Sequence, residues 1–176
     1  MQVFEIRWKI LFAGVAAAIF SGGAAAGFEE DYEAQKWEEI EVQLPATPKR
    51  ESLVPFYVSA ATENRFFVDA SSIAVGTDGV VRYTLVIETA GGVRNVSFEG
   101  MRCETKERRL YAFGRRDGTW SKSRSNQWGL ISGAGNNAYH ATLYAEYFCP
   151  VEGMVRTADE AREAFRRGGR LTPRGS

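Results

Sequence analysis

Residues 80–88 alternate between apolar and polar side chains. The apolar side chains are those of Val81, Tyr83, Leu85 and Ile87. The polar side chains are those of Arg82, Thr84 and Glu88. A period of two is typical of a β-strand with one face in the core and the other in water. The segment therefore predicts a half-buried strand, and its neighbours must supply the rest of a sheet.

Turn signals on both sides of this strand predict an antiparallel meander. Thr77-Asp78-Gly79 precedes it, and Ala90-Gly91-Gly92 follows it with the glycines of a tight hairpin. We interpret Ser71-Ser72-Ile73 as a further short turn. The other predicted β segments are Leu53–Ser59, Arg65–Asp69, Val93–Thr105 and Arg109–Gly114. The result is a sheet of about five strands, and its apolar face needs a cover.

The C-terminal part of the chain predicts that cover. Residues 137–148 place aromatic and leucine side chains four apart, which favours an amphipathic helix, although a tyrosine-rich strand remains an alternative. Thr157 followed by Glu160 is typical of a helix N-terminus, and this helix should end near Arg167, before Gly168-Gly169. The predicted fold class is α+β, an antiparallel sheet of about five strands covered by one or two C-terminal helices.

The first 26 residues resemble a secretory signal peptide. Arg7 and Lys9 precede the apolar run 10–20, and Ala24-Ala25-Ala26 is a typical cleavage site. The run is too short to span a bilayer, and no later segment is long and apolar enough to do so. No cysteine follows the run, which argues against a lipoprotein. We expect cleavage after about Ala26, export and no membrane span in the mature protein.

Export bears on the two cysteines, Cys103 and Cys149, because disulfides persist in oxidising compartments. An even count with no cysteine left over predicts that they form one structural disulfide. A redox-active pair is the alternative, but the C-x-x-C spacing that lowers a thiol pKa is absent.

Composition divides the rest of the chain into segments. Residues 27–50 form an acidic, proline-containing arm that we expect to dock through Trp37; residues 51–170 form the α+β domain, and residues 171–176 a loose tail. The formal net charge is zero, yet the arm is acidic and the stretch 102–124 is basic. The simplest interpretation is that these oppositely charged parts face each other or water.

Four strings in order carry a resemblance to a known family. They are Val68-Asp69-Ala70-Ser71-Ser72-Ile73, Asp78-Gly79-Val80-Val81-Arg82-Tyr83-Thr84, Asn95-Val96-Ser97-Phe98-Glu99-Gly100-Met101-Arg102-Cys103 and Tyr147-Phe148-Cys149-Pro150. The chain resembles the CNP-like family, the "cryptic neisserial protein" domain of exported proteobacterial proteins. The resemblance extends over about residues 37–168. It implies a periplasmic location and no particular activity, so no catalytic residue is carried over.

Few residues offer catalytic chemistry. His140 is the single histidine, so a hydrolase acting on cell-wall material would have to use it, and no G-x-S-x-G motif accompanies it. One histidine and two cysteines cannot form a zinc or iron–sulfur ligand set, and phosphate-binding glycine motifs are absent. We predict no cofactor, no metal and no catalytic residue. The simpler role for His140 is a structural hydrogen bond.

The stretch 102–128 interleaves cationic and aromatic side chains, a mixture that can bind anionic or sugar-bearing polymers. The candidate surface comprises Arg82, Glu99, Arg102, Tyr111, Arg115, Arg116, Trp120, Arg124, Trp128 and His140. Two alternatives remain: Arg82, Glu99 and Arg102 form a charge cluster on the solvent face of the sheet, or the two tryptophans fill the core while the cations stay solvated.

These observations favour a non-enzymatic module of the cell envelope. The expected partner is an anionic envelope component or another periplasmic protein, because an exported protein meets these before nucleic acid. The sequence predicts no oligomeric state.

Overall fold

The computed structural model describes residues 37–133, 138–151 and 153–169. A 3₁₀ turn at Arg50–Ser52 leads into one antiparallel sheet, which has seven strands within the described residues. They are β1 (Leu53–Phe56), β2 (Arg65–Val75), β3 (Val80–Glu88), β4 (Arg94–Arg102), β5 (Glu107–Gly114), β6 (Trp120–Lys122) and β7 (Gly129–Leu130). The strands follow one another in space from β1 to β6, and β7 pairs with the first residues of β5. The predicted meander is confirmed, with more strands than expected.

The central hairpin forms where the sequence predicts it. β3 and β4 pair without interruption from Val80 with Arg102 to Glu88 with Arg94. The turn between them closes through Gly92, whose φ of +80° is a conformation that glycine adopts without steric cost. Gly79, before β3, has a φ of +74° for the same reason. Local turn chemistry therefore determines where this hairpin begins and ends.

The predicted turn at Ser71-Ser72-Ile73 is wrong, because these residues lie inside the eleven-residue strand β2. The pairing of β2 with β3 shifts between Asp69 and Ala74, as at a β-bulge. The Asp69 carboxylate accepts hydrogen bonds from the backbone N–H and the hydroxyl of Ser71. The turn-like sequence thus makes a local irregularity within a continuous strand.

The C-terminal residues form the predicted helical cover. Helix α1 (Ala138–Thr142) continues as a π-helical segment (Leu143–Phe148), and helix α2 (Ala158–Arg166) follows. The side chain of Thr157 accepts a hydrogen bond from the backbone N–H of Glu160, as the sequence predicts. The predicted start at Asn137 and the tail 171–176 lie outside the described residues, as do residues 1–26.

The core lies between these helices and one face of the sheet, which we call the inner face. Phe148 and Phe165 pack there against Tyr83 and Phe56 through tilted or edge-on ring contacts. The predicted disulfide is confirmed, since Cys103 after β4 is bonded to Cys149 after the π-helical segment. It ties the helical layer to the sheet, and both cysteines are buried.

The opposite, outer face of the sheet is also covered, so the prediction of a half-buried β3 is wrong. Arg82, Thr84 and Val86 are buried, although they point away from the helices. The cover is the arm: Trp37, Glu39 and Pro45 all contact residues of the sheet or its turns. Alternation in sequence indicates which residues share a face, but it does not indicate whether an irregular segment covers that face.

Candidate functional site

The outer face carries a carboxylate that four neighbouring side chains recognise. The carboxylate of Glu39 accepts hydrogen bonds from Arg82, Arg109, Tyr111 and Trp128. Arg82 reaches it at 3.3 Å and the indole N–H of Trp128 at 3.3 Å. The Glu39 side chain is only 12% exposed, so the two guanidinium groups replace most of its water.

Adjacent strands bring these donors together. Arg82 on β3 pairs with Gly100 on β4, and Gly100 in turn pairs with Arg109 on β5. The ring of Tyr111 lies directly over Gly100, where a Cβ atom would meet the tyrosine hydroxyl at 2.4 Å. Gly100 therefore leaves the space that the ring needs to direct its hydroxyl at Glu39. Three strands of the sheet contribute to one pocket.

The ring of Trp37 occupies a second pocket beside the first. The guanidinium of Arg102 stacks 3.7 Å from the ring centre, and Trp128 packs edge-on at 5.9 Å. The indole N–H of Trp37 donates to the backbone carbonyl of Asp78 at 2.9 Å. Docking of the arm through Trp37 is thus observed. We call these two pockets, lined by Arg82, Arg102, Arg109, Tyr111 and Trp128, the arm-binding face.

Electrostatics at this face favour the charged pairs. Burial alone would raise the pKa of Asp78, but hydrogen bonds from Arg82 and two backbone N–H groups outweigh burial and lower it. Burial would likewise lower the pKa of Arg82, and its bond to Asp78 reverses that effect. Burial and the bond to Glu39 raise the pKa of Tyr111, which keeps its hydroxyl protonated as a donor.

A different carboxylate is buried on the inner face. Glu99 lies 2.6 Å from Nε2 of His140, and its other oxygen accepts from the hydroxyl of Ser97 at 2.7 Å. The hydroxyl of Tyr83 also donates to the Glu99 carboxylate, at 3.3 Å. Burial alone would raise the pKa of Glu99, but the bonds from His140 and Ser97 lower it below its usual value. Because an ionised carboxylate only accepts, Nε2 of His140 carries a proton.

This inner cluster has the wrong order for a hydrolytic triad. In a triad the imidazole lies between the hydroxyl and the carboxylate, so that it can remove the hydroxyl proton. Here Glu99 lies in the middle, and Ser97 and His140 both bond to it. His140 is 1% exposed and Glu99 is 3% exposed. The arrangement is that of a buried polar network around Glu99, in which Nδ1 of His140 has no hydrogen-bond partner among the described residues.

A basic cleft lies at one end of the sheet. It measures about 440 Å³ and is formed by Thr47 and Pro48 of the arm, the β3–β4 turn and the β5–β6 turn. Arg94, Arg115 and Arg116 line it, and all three are exposed. Within the described part of the chain, none of these three forms an ion pair, whereas Arg82 and Arg109 are both paired with Glu39.

The predicted site residues therefore separate into groups. Those at or beside the arm contacts are Arg82, Arg102, Tyr111, Trp120 and Trp128. Glu99 and His140 lie on the inner face, and Arg115, Arg116 and Arg124 are exposed. Because Arg82 and Glu99 are buried on opposite faces, the alternative of one charge cluster with Arg102 on a solvent face is wrong.

Sequence reasoning named neither Glu39 nor Asp78 as a site residue, nor Arg94 or Arg109. The signal for Glu39 was available, since the acidic arm and the basic stretch were expected to face each other. Arg94 follows a glycine turn and has no local pattern that marks it. Only the fold places it beside Arg115 and Arg116.

Among residues 37–133, 138–151 and 153–169, no group of three or more histidine, cysteine or acidic side chains could hold a metal ion. The helices in these ranges include none that is long and apolar enough to cross a membrane.

Fold and site together define a disulfide-bonded α+β domain whose sheet carries a docked N-terminal arm on one face and two helices on the other. The model of the CNP1-like family matches residues 32–166. The chain therefore belongs to the CNP1-like family, and the resemblance of its four sequence strings is confirmed. No curated protein and no solved structure matches it.

Proposed function

We propose that this protein is a non-enzymatic binding module of the periplasm and that it binds an anionic envelope component in the basic cleft. The observation that carries the proposal is the set of guanidinium groups of Arg94, Arg115 and Arg116 around one concave space. Guanidinium groups bind phosphate and carboxylate oxygens in a forked geometry. A cleft of about 440 Å³ is within the range of small-ligand sites.

The electrostatics of the β5–β6 turn support anion binding. Asp117 is the acidic residue of this turn, and its carboxylate accepts hydrogen bonds from the backbone and hydroxyl of Thr119 at 3.0 and 2.7 Å. Arg115 donates to the neutral hydroxyl of Ser121. Arg116 has no acidic partner within the described residues, so its charge is available to a ligand.

The periplasmic location rests on two supports. The first is the signal-like segment at residues 1–26, with cleavage expected after about Ala26. The second is the Cys103–Cys149 disulfide, because structural disulfides are typical of oxidising compartments.

The experiment compares two double variants with the same change in net charge. Arg115→Glu/Arg116→Glu reverses two cleft charges, and Arg156→Glu/Arg166→Glu reverses two exposed charges beside and on α2. The probes are purified lipopolysaccharide, vesicles containing phosphatidylglycerol, and neutral phosphatidylcholine vesicles. We expect the wild type and the α2 variant to bind the anionic probes alike, and the cleft variant to bind at least ten-fold more weakly.

Adding Arg124→Glu to the cleft variant tests whether the surface extends to that exposed residue, which does not line the cleft. Equal binding by the cleft and α2 variants would reject the cleft assignment. Equal binding of the wild type to anionic and neutral vesicles would reject an anionic partner altogether.

The alternative of a cell-wall hydrolase that uses His140 gains no support from the described geometry. Nε2 of His140 is hydrogen-bonded to Glu99, and the imidazole ring is buried. The alternative is tested directly by the His140→Ala variant discussed below.

A further inference from the structure

The contact between arm and sheet resembles a bound peptide more than a packed strand. Residues 37–48 include no helix or strand, yet two side chains that are two positions apart enter separate pockets. Trp37 enters the aromatic pocket, and Glu39 enters the carboxylate pocket. The intervening Glu38 is exposed. Alternate side chains are thus bound and solvated, as in an extended peptide ligand.

The pockets are specific in chemistry. Both oxygens of Glu39 are used, Oε1 by Arg82 and Tyr111, and Oε2 by Arg109 and Trp128. An uncharged or shorter side chain would leave buried donors unpaired, which is costly.

The backbone of the arm is also bound, at Ile40. The N–H of Ile40 donates to the Asp78 carboxylate at 3.1 Å, and Arg82 donates to the same carboxylate. At Gly76, a Cβ atom would lie 2.2 Å from Asp78 Oδ1 and 2.9 Å from the Ile40 side chain. Gly76 therefore keeps open the space in which the arm and Asp78 meet.

We propose that the arm-binding face is a recognition site for a peptide that carries an aromatic residue followed two positions later by a carboxylate. The chain's own Trp37 and Glu39 occupy the site in cis, and the corresponding segment of a partner protein displaces them. The proposal uses a surface different from the basic cleft, so either can fail without the other.

The cis occupant has the advantage of tethering. A short covalent connection gives an effective concentration of at least the order of millimolar, so a free peptide competes only at similar concentration or when the arm is weakened. Wild-type protein should therefore bind little added peptide, whereas a variant with a weakened arm should bind it well. This difference is what distinguishes a recognition site from a structural contact.

The experiment uses the full chain with Trp37→Ala/Glu39→Gln, which removes the two side chains that enter the pockets and leaves the arm's contacts at Ile40 and Pro45. The probe is a fluorescein-labelled synthetic peptide of residues 34–43, followed by anisotropy. We expect this variant to bind the peptide at least ten-fold more tightly than the wild type. A peptide with Glu39→Gln should bind at least ten-fold more weakly than the native peptide.

A triple variant that also carries Arg109→Glu is the matched control, because the same two side chains are gone and its carboxylate pocket is blocked. It should lose peptide binding. Equal binding by wild type and double variant, or equal binding of the two peptides, would overturn the proposal.

A second measurement on wild-type protein covers the case in which the double variant is poorly folded. Protein labelled with 5-fluorotryptophan is titrated with unlabelled peptide to several millimolar, and the ¹⁹F resonance of Trp37 is followed. The resonance is assigned with Trp37→Phe. A shift toward the position of solvent-exposed tryptophan supports displacement. No shift with the native peptide, or an equal shift with the Glu39→Gln peptide, would contradict it.

Discussion

Two carboxylates, one on each face of the sheet, each accept hydrogen bonds from several side chains but belong to different kinds of structure. Glu99 on the inner face is part of β4 and bonds to a histidine, a serine and a tyrosine beneath the helices. Glu39 on the outer face belongs to an irregular arm and bonds to two arginines, a tyrosine and a tryptophan. The first lies in a strand that is paired on both sides, whereas the second lies in a segment that forms no strand pairing.

This comparison indicates which face of the sheet contributes more to the free energy of unfolding. The inner face has the disulfide, the aromatic core and the Glu99 network, so all three should contribute to cooperative unfolding. The outer face is covered by a segment of 12 residues, from 37 to 48, that has no helix or strand and is held mainly by side-chain contacts. Changes at the inner face should lower the free energy of unfolding more than changes at the outer face.

The largest expected effect is the loss of the disulfide. Cys103→Ser/Cys149→Ser removes a link across 46 residues and should lower the free energy of unfolding by about 4 kcal/mol. Urea denaturation followed by circular dichroism measures this. Comparison with the reduced wild type controls for the serine hydroxyls. A loss below about 1 kcal/mol would contradict a stabilising role for this link.

The next effect is expected from His140→Ala, which leaves the buried Glu99 carboxylate without its closest partner. The free energy of unfolding should fall by about 3 kcal/mol, because an uncompensated buried charge is costly. His140→Gln retains a donor and should lose less. Unchanged stability together with loss of turnover on peptidoglycan would instead favour the hydrolase.

A pH effect should accompany the Glu99 network. The pKa of Glu99 is lower in the folded protein than in the unfolded chain, whose ordinary value is 4.5. The unfolded state therefore binds more protons in acid, and the stabilisation present above pH 4.5 is lost as pH falls through the folded-state pKa. Asp78, with an ordinary pKa of 3.8, contributes in the same direction.

Urea denaturation between pH 7 and pH 3 measures this dependence. Glu99→Gln should make the stability curve flatter in acid than that of the wild type, with Glu38→Gln as an exposed control. Identical slopes for the wild type and Glu99→Gln would show that Glu99 does not contribute to the acid sensitivity.

The smallest of these effects on stability is expected at the arm. Glu39→Gln removes one charge and weakens two arginine contacts, so the free energy of unfolding should fall by about 1 to 2 kcal/mol. Glu38→Gln, at the exposed neighbour, should change it by less than about 0.5 kcal/mol. The ¹⁹F resonance of 5-fluorotryptophan at position 37 should move toward the position of solvent-exposed tryptophan in Glu39→Gln but not in Glu38→Gln. If Glu39→Gln lowers the free energy of unfolding as much as His140→Ala does, the two faces do not differ in their contribution to stability.

Local chemistry explains why much of the fold was predictable. The β3–β4 hairpin follows from alternation and from Gly92, and helix α2 follows from Thr157 and Glu160, residues three apart. The Cys103–Cys149 disulfide follows from the presence of two cysteines in the sequence. Ser71 failed as a predictor, because a bulge inside a long strand uses the same short polar side chains as a turn.

The site was predictable only in outline. The basic and aromatic composition of the stretch 102–128 and the docking of Trp37 were apparent, but their assignment to faces was not. Glu39 meets Arg109 across 70 residues and Tyr111 across 72, and Glu99 meets His140 across 41. No periodicity connects residues so far apart.

The sequence by itself determined the β3–β4 hairpin with its turns, the N-cap of α2 and the identity of the disulfide, because each depends on residues a few positions apart or on the presence of two cysteines. The tertiary structure decided that the arm covers the outer face, that Glu39 of the arm joins Asp78 in pairing with Arg82, and that Arg94 joins Arg115 and Arg116. These outcomes depend on which surfaces the folded chain brings together. Burial and charge pairing are properties of that arrangement, and no single segment contains them.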